Sequence, residues 1–337
     1  MVFRSIILYN IDMEMNIIEK LKIAELKGRG GAAYPTWMKW NLVKEAQGEK
    51  KYVVCNASEG EPGVFKDKYI LEHYPEEVIN GMQLAMETVG AEEAYIFLNK
   101  EYFELFGDQL KKIIGHLNIK LFKKQGHYLS GEETTLLNEL EWKRPEPRLK
   151  PPYPVTNGLF DYPTLVNNVE TFYCVSKIAK DEYKKTRFYS ISGDVENHGV
   201  FELPEDWSVK KVLEEIKNWP KIDFFVQVDG GASGEIFLPE ELDCPAKGNG
   251  AIIIYDKKMT DPMQLMRKWA EFFVKNNCDK CTPCREGVYR LKEMLDQDKL
   301  DKKIVEELFF AMEETAFCPL GKGVSRPFKS LIEKLKL

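Results

Sequence analysis

Cys278, Cys281 and Cys284 stand two residues apart in NNCDKCTPCREG, and Cys318 precedes Pro319 further along the chain. Thiolates are the soft ligands that hold iron–sulfur clusters. A C-x2-C-x2-C run lets one tight loop cover three corners of a [4Fe–4S] cube, with Cys318 for the fourth. Zinc is the competing occupant, but zinc sites commonly pair cysteines as two separate C-x2-C knuckles. Disulfides suit the chain less well, because it shows no secretory leader and its seven cysteines cannot all pair. Cys55, Cys174 and Cys244 stand alone and read as buried small hydrophobes. Grouped thiolates without a leader imply a reducing compartment, the cytoplasm.

Three other segments carry candidate ligand-binding groups. LKGRGGAAYPTWMKW sets Gly28, Gly30 and Gly31 beside Arg29 and Lys39. Such glycines let backbone N–H groups converge on an anion, although the spacing is neither a dinucleotide fingerprint nor a P-loop, and a plain tight turn is the alternative. CNASEGEPGVFKDK carries Asn56, Ser58, Glu59 and Glu61 directly after a strand, where open α/β sheets bind ligands. HYLSGEETTLL offers Tyr128, Gly131, Glu132 and Glu133, or merely a charged helix start. The four histidines, His73, His116, His127 and His198, show no metal or acid/base spacing.

The elements that must position these groups follow from periodicity. Residues 16–27 read as a helix running into the glycine turn, 51–58 as a buried strand, 76–90 as a helix, 94–99 as a strand and 102–117 as a helix. Strands alternating with helices predict an α/β sheet layered by helices. The stretch Pro145 to Pro163 is proline-rich and predicted extended. Short strands around one helix capped by Ser208 predict a small β-grasp module, and from Thr260 onward amphipathic segments predict a helical bundle with the cysteines in its loops. The expected units are 1–185, 186–257 and 258–337.

Composition excludes several functions. A formal net charge of −6 and the lack of a dense Lys/Arg stripe argue against nucleic-acid binding. The longest apolar runs fall far short of the ~20 residues a transmembrane helix needs, so any membrane association is expected through a partner, with no direct insertion.

Taken in order, GRGGAAYPTWMKW, NASEGEPGVFKDK, YLSGEETTL, PRLKPPYP, PTLVNNVET, CTPCREG and CPLG resemble the motifs of a known family. It is the flavin-bearing, NADH-oxidising subunit of respiratory NADH:quinone oxidoreductase, with its relatives in NAD-linked hydrogenases and formate dehydrogenases. The resemblance spans about residues 21–331 and implies a short form with a Rossmann-like FMN-binding domain. It implies non-covalent FMN, NAD(H) stacked on it, and a [4Fe–4S] cluster on Cys278, Cys281, Cys284 and Cys318. Gly28, Arg29, Gly30, Gly31 and Lys39 would surround the FMN phosphate and nearby polar edge. Asn56, Ser58, Asn167 and Asn168 would hydrogen-bond the flavin or ribityl chain, with Gly131 for close approach and Tyr128 beside it. Glu59, Glu61, Glu132 and Glu133 would line the nicotinamide site, Glu59 and Glu61 nearest the reaction, while Tyr34 and Tyr153 would stack adenine. A thioredoxin-like [2Fe–2S] subunit and a larger iron–sulfur subunit are the partners implied.

Several features depart from the family pattern. The chain begins almost at the flavin loop, Ser58 stands at a common aspartate, Trp37 replaces a glycine, and the segment between Leu242 and Gly250 is short. They leave a second reading open, an adaptor that exchanges electrons with ferredoxin or another protein and no longer uses NADH.

Overall fold

Along the chain a parallel sheet with its helices, a mixed sheet and a run of helices follow one another as three units. The computed structural model describes residues 15–246 and 248–337; the expected start of the first unit at residue 1 lies outside them. The first unit runs α1 (Ile17–Ile23), α2 (Thr36–Glu45), β1 (Tyr52–Ala57), α3 (Lys66–His73), α4 (Pro75–Val89), β2 (Glu93–Leu98), α5 (Lys100–Ile114), β3 (Ile119–Lys123), α6 (Glu133–Leu140), β4 (Thr164–Asn168) and α7 (Val169–Ala179). Its four strands are parallel in the order β3-β2-β1-β4. Both sheet faces are covered, which is why YVVC reads as an unbroken apolar run. One core packs Trp40, Val53, Met82 and Phe172, and a second on the opposite face packs Val54, Leu136 and Leu159.

The helix α7 carries more buried residues than its sequence pattern announces, including Glu170, Thr171 and Ser176. Gly81 on α4 lets it approach closely: a Cβ there would sit 2.0 Å from the Phe172 carbonyl oxygen. Periodicity does not single out α7 because it is nearly all buried, which erases an amphipathic signal.

The second unit comprises β5 (Thr186–Gly193), β6 (Gly199–Pro204), α8 (Val209–Glu215), β7 (Phe224–Val228), β8 (Glu235–Phe237) and β9 (Ala251–Asp256), in the order β6-β5-β9-β7-β8. Among its described strands only β5 and β9 pair in parallel, and α8 packs Val209, Val212 and Leu213 on the sheet. The third unit holds α9 (Pro262–Asn276), α10 (Thr282–Asp296), α11 (Lys302–Thr315), α12 (Pro319–Gly323) and α13 (Ser325–Leu335) around Trp269, Leu291, Phe309 and Phe328. No helix among the described residues is long and apolar enough to cross a membrane.

Candidate flavin and iron–sulfur sites

The carboxyl ends of β1 and β4 lie side by side, with Asn56 registered against Asn168. Asn56 donates through Nδ2 to the Gly131 carbonyl at 2.9 Å and accepts from the Ser58 hydroxyl at 2.6 Å. Asn168 caps α7 by accepting from the Glu170 N–H, and its Nδ2 donates to Asp67 at 2.6 Å. Asn167 faces elsewhere: its Oδ1 accepts from the Trp40 indole at 3.0 Å. Successive strand residues point to opposite faces, so the two asparagines, expected together at the flavin, turn to different sides of the sheet.

The glycine segment is a loop pinned at its base, where the Gly28 N–H donates to the Tyr34 carbonyl at 2.9 Å. Gly30 and Gly31 are exposed, and Gly31 holds φ +111°, which favours glycine. Across the strand ends a Cβ on Gly131 would sit 2.8 Å from the Ser58 hydroxyl, and one on Gly30 would sit 3.3 Å from the Asn168 Cβ. Side chains at these two positions would crowd the strand ends, so glycine keeps the space beside Ser58 and Asn168 clear. Polar amides, a hydroxyl and backbone N–H groups fit a flavin and its phosphate. Lys39 donates to Glu133 at 2.6 Å and to the Val166 carbonyl at 2.8 Å, tying α2 to α6 and β4.

Arg29 does not join the cradle. Its guanidinium, 6% exposed, turns inward to Tyr183, Glu205 and Glu170, which corrects its expected place at the phosphate. Its backbone remains in the loop, with the N–H donating to Thr171.

The carboxylates divide. Glu59 accepts from the Asp67 and Lys68 N–H groups and from the Tyr102 hydroxyl at 2.6 Å. Burial, with Asp67 nearby, pushes it up to about 7. Glu61 is buried and accepts from the Ala232 and Ser233 N–H groups, both at 2.9 Å, so it faces the second unit rather than an open nucleotide groove. All of these bonds go to Oε1; Oε2 is buried without a hydrogen-bond partner. Glu132 caps α6 through Thr134 and Thr135 and pairs with Lys150 at 2.8 Å. Tyr34 and Tyr153 expose their rings, at 45% and 55%, as stacking surfaces need.

Trp37, standing at a family glycine, packs against the first core with the Lys22 ammonium of α1 5.0 Å above its ring. Sequence reasoning passes over Lys66 and Asp67, which lie buried beside Asn168. Burial works against the Lys66 charge, but Asp67 and Glu170 outweigh it and hold the ammonium above its usual range. The signal is present in FKDK, since paired opposite charges after a strand suit a buried network, yet exposed charges look the same in one dimension.

The four thiols line one cavity with Leu129, Asn277, Phe317 and Leu320. Among the described residues no group of three Cys, His, Asp or Glu is gathered as a single metal ion requires. All four cysteines border the one cavity, and four thiolates are the donor set that suits an iron–sulfur cluster. Cys281 stands at the N-cap of α10, Cys284 within its first turn, and Cys318 at the N-cap of α12. Burial raises the Cys318 thiol, while the Gly321 and Leu320 N–H groups bonding to it favour thiolate. Lys280 ties the cysteine loop to the proline-rich segment through Glu146 and the Pro147 carbonyl.

One short turn joins the two centres. Residues Tyr128–Gly131 form a single 3-10 turn; Gly131 receives the Asn56 bond at its flavin end, and Leu129 lines the cysteine cavity. Such a fold and site define an oxidoreductase electron-entry module, a flavin domain coupled to an iron–sulfur bundle.

Residues 21–177 match the family described as Nuo51 FMN-binding domain, and residues 264–336 match the NADH-ubiquinone oxidoreductase-F iron–sulfur binding region. The NADH-quinone oxidoreductase F 2 subunit of Rhizobium meliloti is 33% identical, over 95% of this chain and 87% of that protein. The corresponding F subunit of Aquifex aeolicus is 33% identical over 94% and 84%. The chain belongs to the family of NADH-quinone oxidoreductase F subunits. It is also 32% identical to the alpha subunit of the NAD-reducing hydrogenase HoxS of Cupriavidus necator, over 94% of this chain and 59% of that one. A crystal structure of NAD+-reducing [NiFe]-hydrogenase in the H2-reduced state superposes with a TM-score of 0.88 at 30% identity, covering 95% of this chain and 61% of that chain.

Proposed function

We propose that this chain oxidises NADH at FMN held over the ends of β1 and β4 and exports electrons through a [4Fe–4S] cluster on Cys278, Cys281, Cys284 and Cys318. The single observation that carries the reading is the 128–131 turn, anchored to Asn56 at one end and lining the thiol cavity at the other. FMN supplies the exchange between two-electron and one-electron chemistry. Gly28, Gly30, Gly31 and Lys39 would hold its phosphate; Asn56, Ser58, Asn168 and Gly131 would hold the ring and ribityl chain. Glu59, Glu132 and Glu133 would border the NADH site with Tyr128, and Tyr34 and Tyr153 would stack the adenine.

The units are taken as 1–185, 186–257 and 258–337, the second as a β-grasp module; the strand order with β5 and β9 parallel supports it. A thioredoxin-like [2Fe–2S] subunit and a larger iron–sulfur subunit are the expected electron acceptors, in the cytoplasm. The named relatives are themselves described as subunits.

Anaerobic addition of NADH to the purified holoprotein should bleach the flavin absorbance within the mixing time and generate a reduced-cluster electron paramagnetic resonance signal. Flavin that stays oxidised with NADH but bleaches with reduced ferredoxin would select the adaptor instead.

A further inference from the structure

A buried cation stands behind the loop assigned to the flavin ring. Lys124 follows β3 directly, its N–H donating to the Leu98 carbonyl at 2.8 Å. The side chain is 5% exposed, and its ammonium reaches the Ser58 carbonyl at 3.4 Å. A Cβ on Gly60 would lie 3.9 Å from that nitrogen. An ammonium has three donors, and among the described residues this long bond is its one protein hydrogen bond. A charge kept from water with spare donors is costly unless something nearby uses it. Glu139 of α6 draws on the charge; its Oε1 accepts from the Gln125 and Gly126 N–H groups, and its buried Oε2 has no hydrogen-bond partner, so the Lys124 ammonium and this carboxylate are not hydrogen-bonded to each other. Lys100, opening α5, repels it, and burial brings Lys124 down to about 8, so it stays protonated at neutral pH.

We propose that Lys124 is a positioning residue that places a fixed positive charge behind the Ser58–Gly60 loop and so makes the flavin site a stronger hydride acceptor. It deepens the flavin-site reading above and rests on it. A hydride carries two electrons and one proton, so its acceptor gains one negative charge while the nicotinamide donor gains a positive one. A cation beneath the accepting site favours that transfer, with less screening than at a surface. The neutral Ser58 acts in the same sense, since the aspartate common at that position would offset the ammonium.

The test is a spectroelectrochemical titration of FMN in the holoprotein. In Lys124→Met the ratio of reduced to oxidised flavin at a fixed potential should fall about tenfold, which is ~30 mV for a two-electron couple; Ser58→Asp should shift it in the same direction. Folded, flavin-loaded Lys124→Met with an unchanged ratio would overturn the proposal. The wild type supplies a check that needs no variant. Reduction should raise the Lys124 affinity for protons, so above about pH 8 proton uptake per flavin should climb from one towards two. Glu59, Tyr128, Glu139 and Lys100 face the same region, so the extra proton must vanish in Lys124→Met; uptake that is constant through that range in the wild type would also overturn the proposal. Wild-type protein that takes up no FMN at all would instead sink the flavin-site reading itself.

Discussion

The Glu61 carboxylate receives both the N–H and the hydroxyl of Ser233, at 2.9 and 3.1 Å, so a residue of the EGEPG segment clamps the first unit to the second. Gly230 is part of the same fit, because a Cβ there would lie 2.4 Å from the Glu61 side chain. Glu61→Ala strands the Ala232 and Ser233 donors in a buried site, at about 1–3 kcal/mol for each unsatisfied group. Denaturant unfolding should show that loss, and hydrogen exchange should rise at 230–234. Unchanged stability with weakened NADH affinity would return Glu61 to the nucleotide site.

Arg29 poses the same question on the other side of the cradle. Its side chain bonds Tyr183 and pairs with Glu205 and Glu170, linking the glycine loop to α7 and to the segment after β6. Removing it by Arg29→Met leaves buried Glu170 with one cation fewer, and a loss of about 3–5 kcal/mol is expected. The folded variant should still bind FMN with near-normal stoichiometry. Loss of FMN at undiminished stability would mean that the guanidinium serves the phosphate after all.

Glu59 gives the protein a pH dependence with a definite sign. Unfolded, it titrates in the ordinary carboxylate range; folded, burial first and Asp67 second push it up to about 7. Between those values the folded state keeps a proton that the unfolded state has released, so the site favours folding at low pH and that contribution is lost as pH rises towards 7. The expected drop from this group is about 1–3 kcal/mol between pH 5 and pH 8. Glu59→Gln should flatten that part of the stability profile, measured by denaturation at both pH values.

Gly321 sits where the cysteine cavity closes. A Cβ there would meet the Cys284 Cβ at 3.1 Å, the Cys284 sulfur at 3.3 Å and the Ala316 Cβ at 2.7 Å. Gly321→Ala should therefore cost about 1–3 kcal/mol through overpacking and reduce iron content per chain. Cys281→Ser should go further, abolishing the reduced-cluster signal and loosening α9 to α13 while leaving FMN bound, since metal binding and folding are coupled. Full iron content in Gly321→Ala would show that the cluster tolerates displacement of α12.

By itself the sequence determined the chemistry available and the order of the parts. Thiol spacing, glycine density and strand-helix alternation are local properties, so the grouping of the four cysteines that line one cavity was legible, and β1, α4, β2 and α5 to within a few residues. The buried α7 was less so, because a helix wrapped on all sides shows no periodic contrast. What only the tertiary structure decided is where each charged or polar group points. Arg29 and Glu61 read as ligand groups because a charge beside glycines suggests an anion or a ribose, yet the side chains of both bond to partners 154 to 176 residues away in the chain. Asn167 and Asn168 are adjacent in sequence but separated by the pleat, one to Trp40 and one to Asp67. Trp37 packs against the first core, where α1 presents Lys22 over its ring. Hydrogen-bond partners are chosen by three-dimensional proximity under the penalty for burying an unpaired group, and no residue carries that information alone.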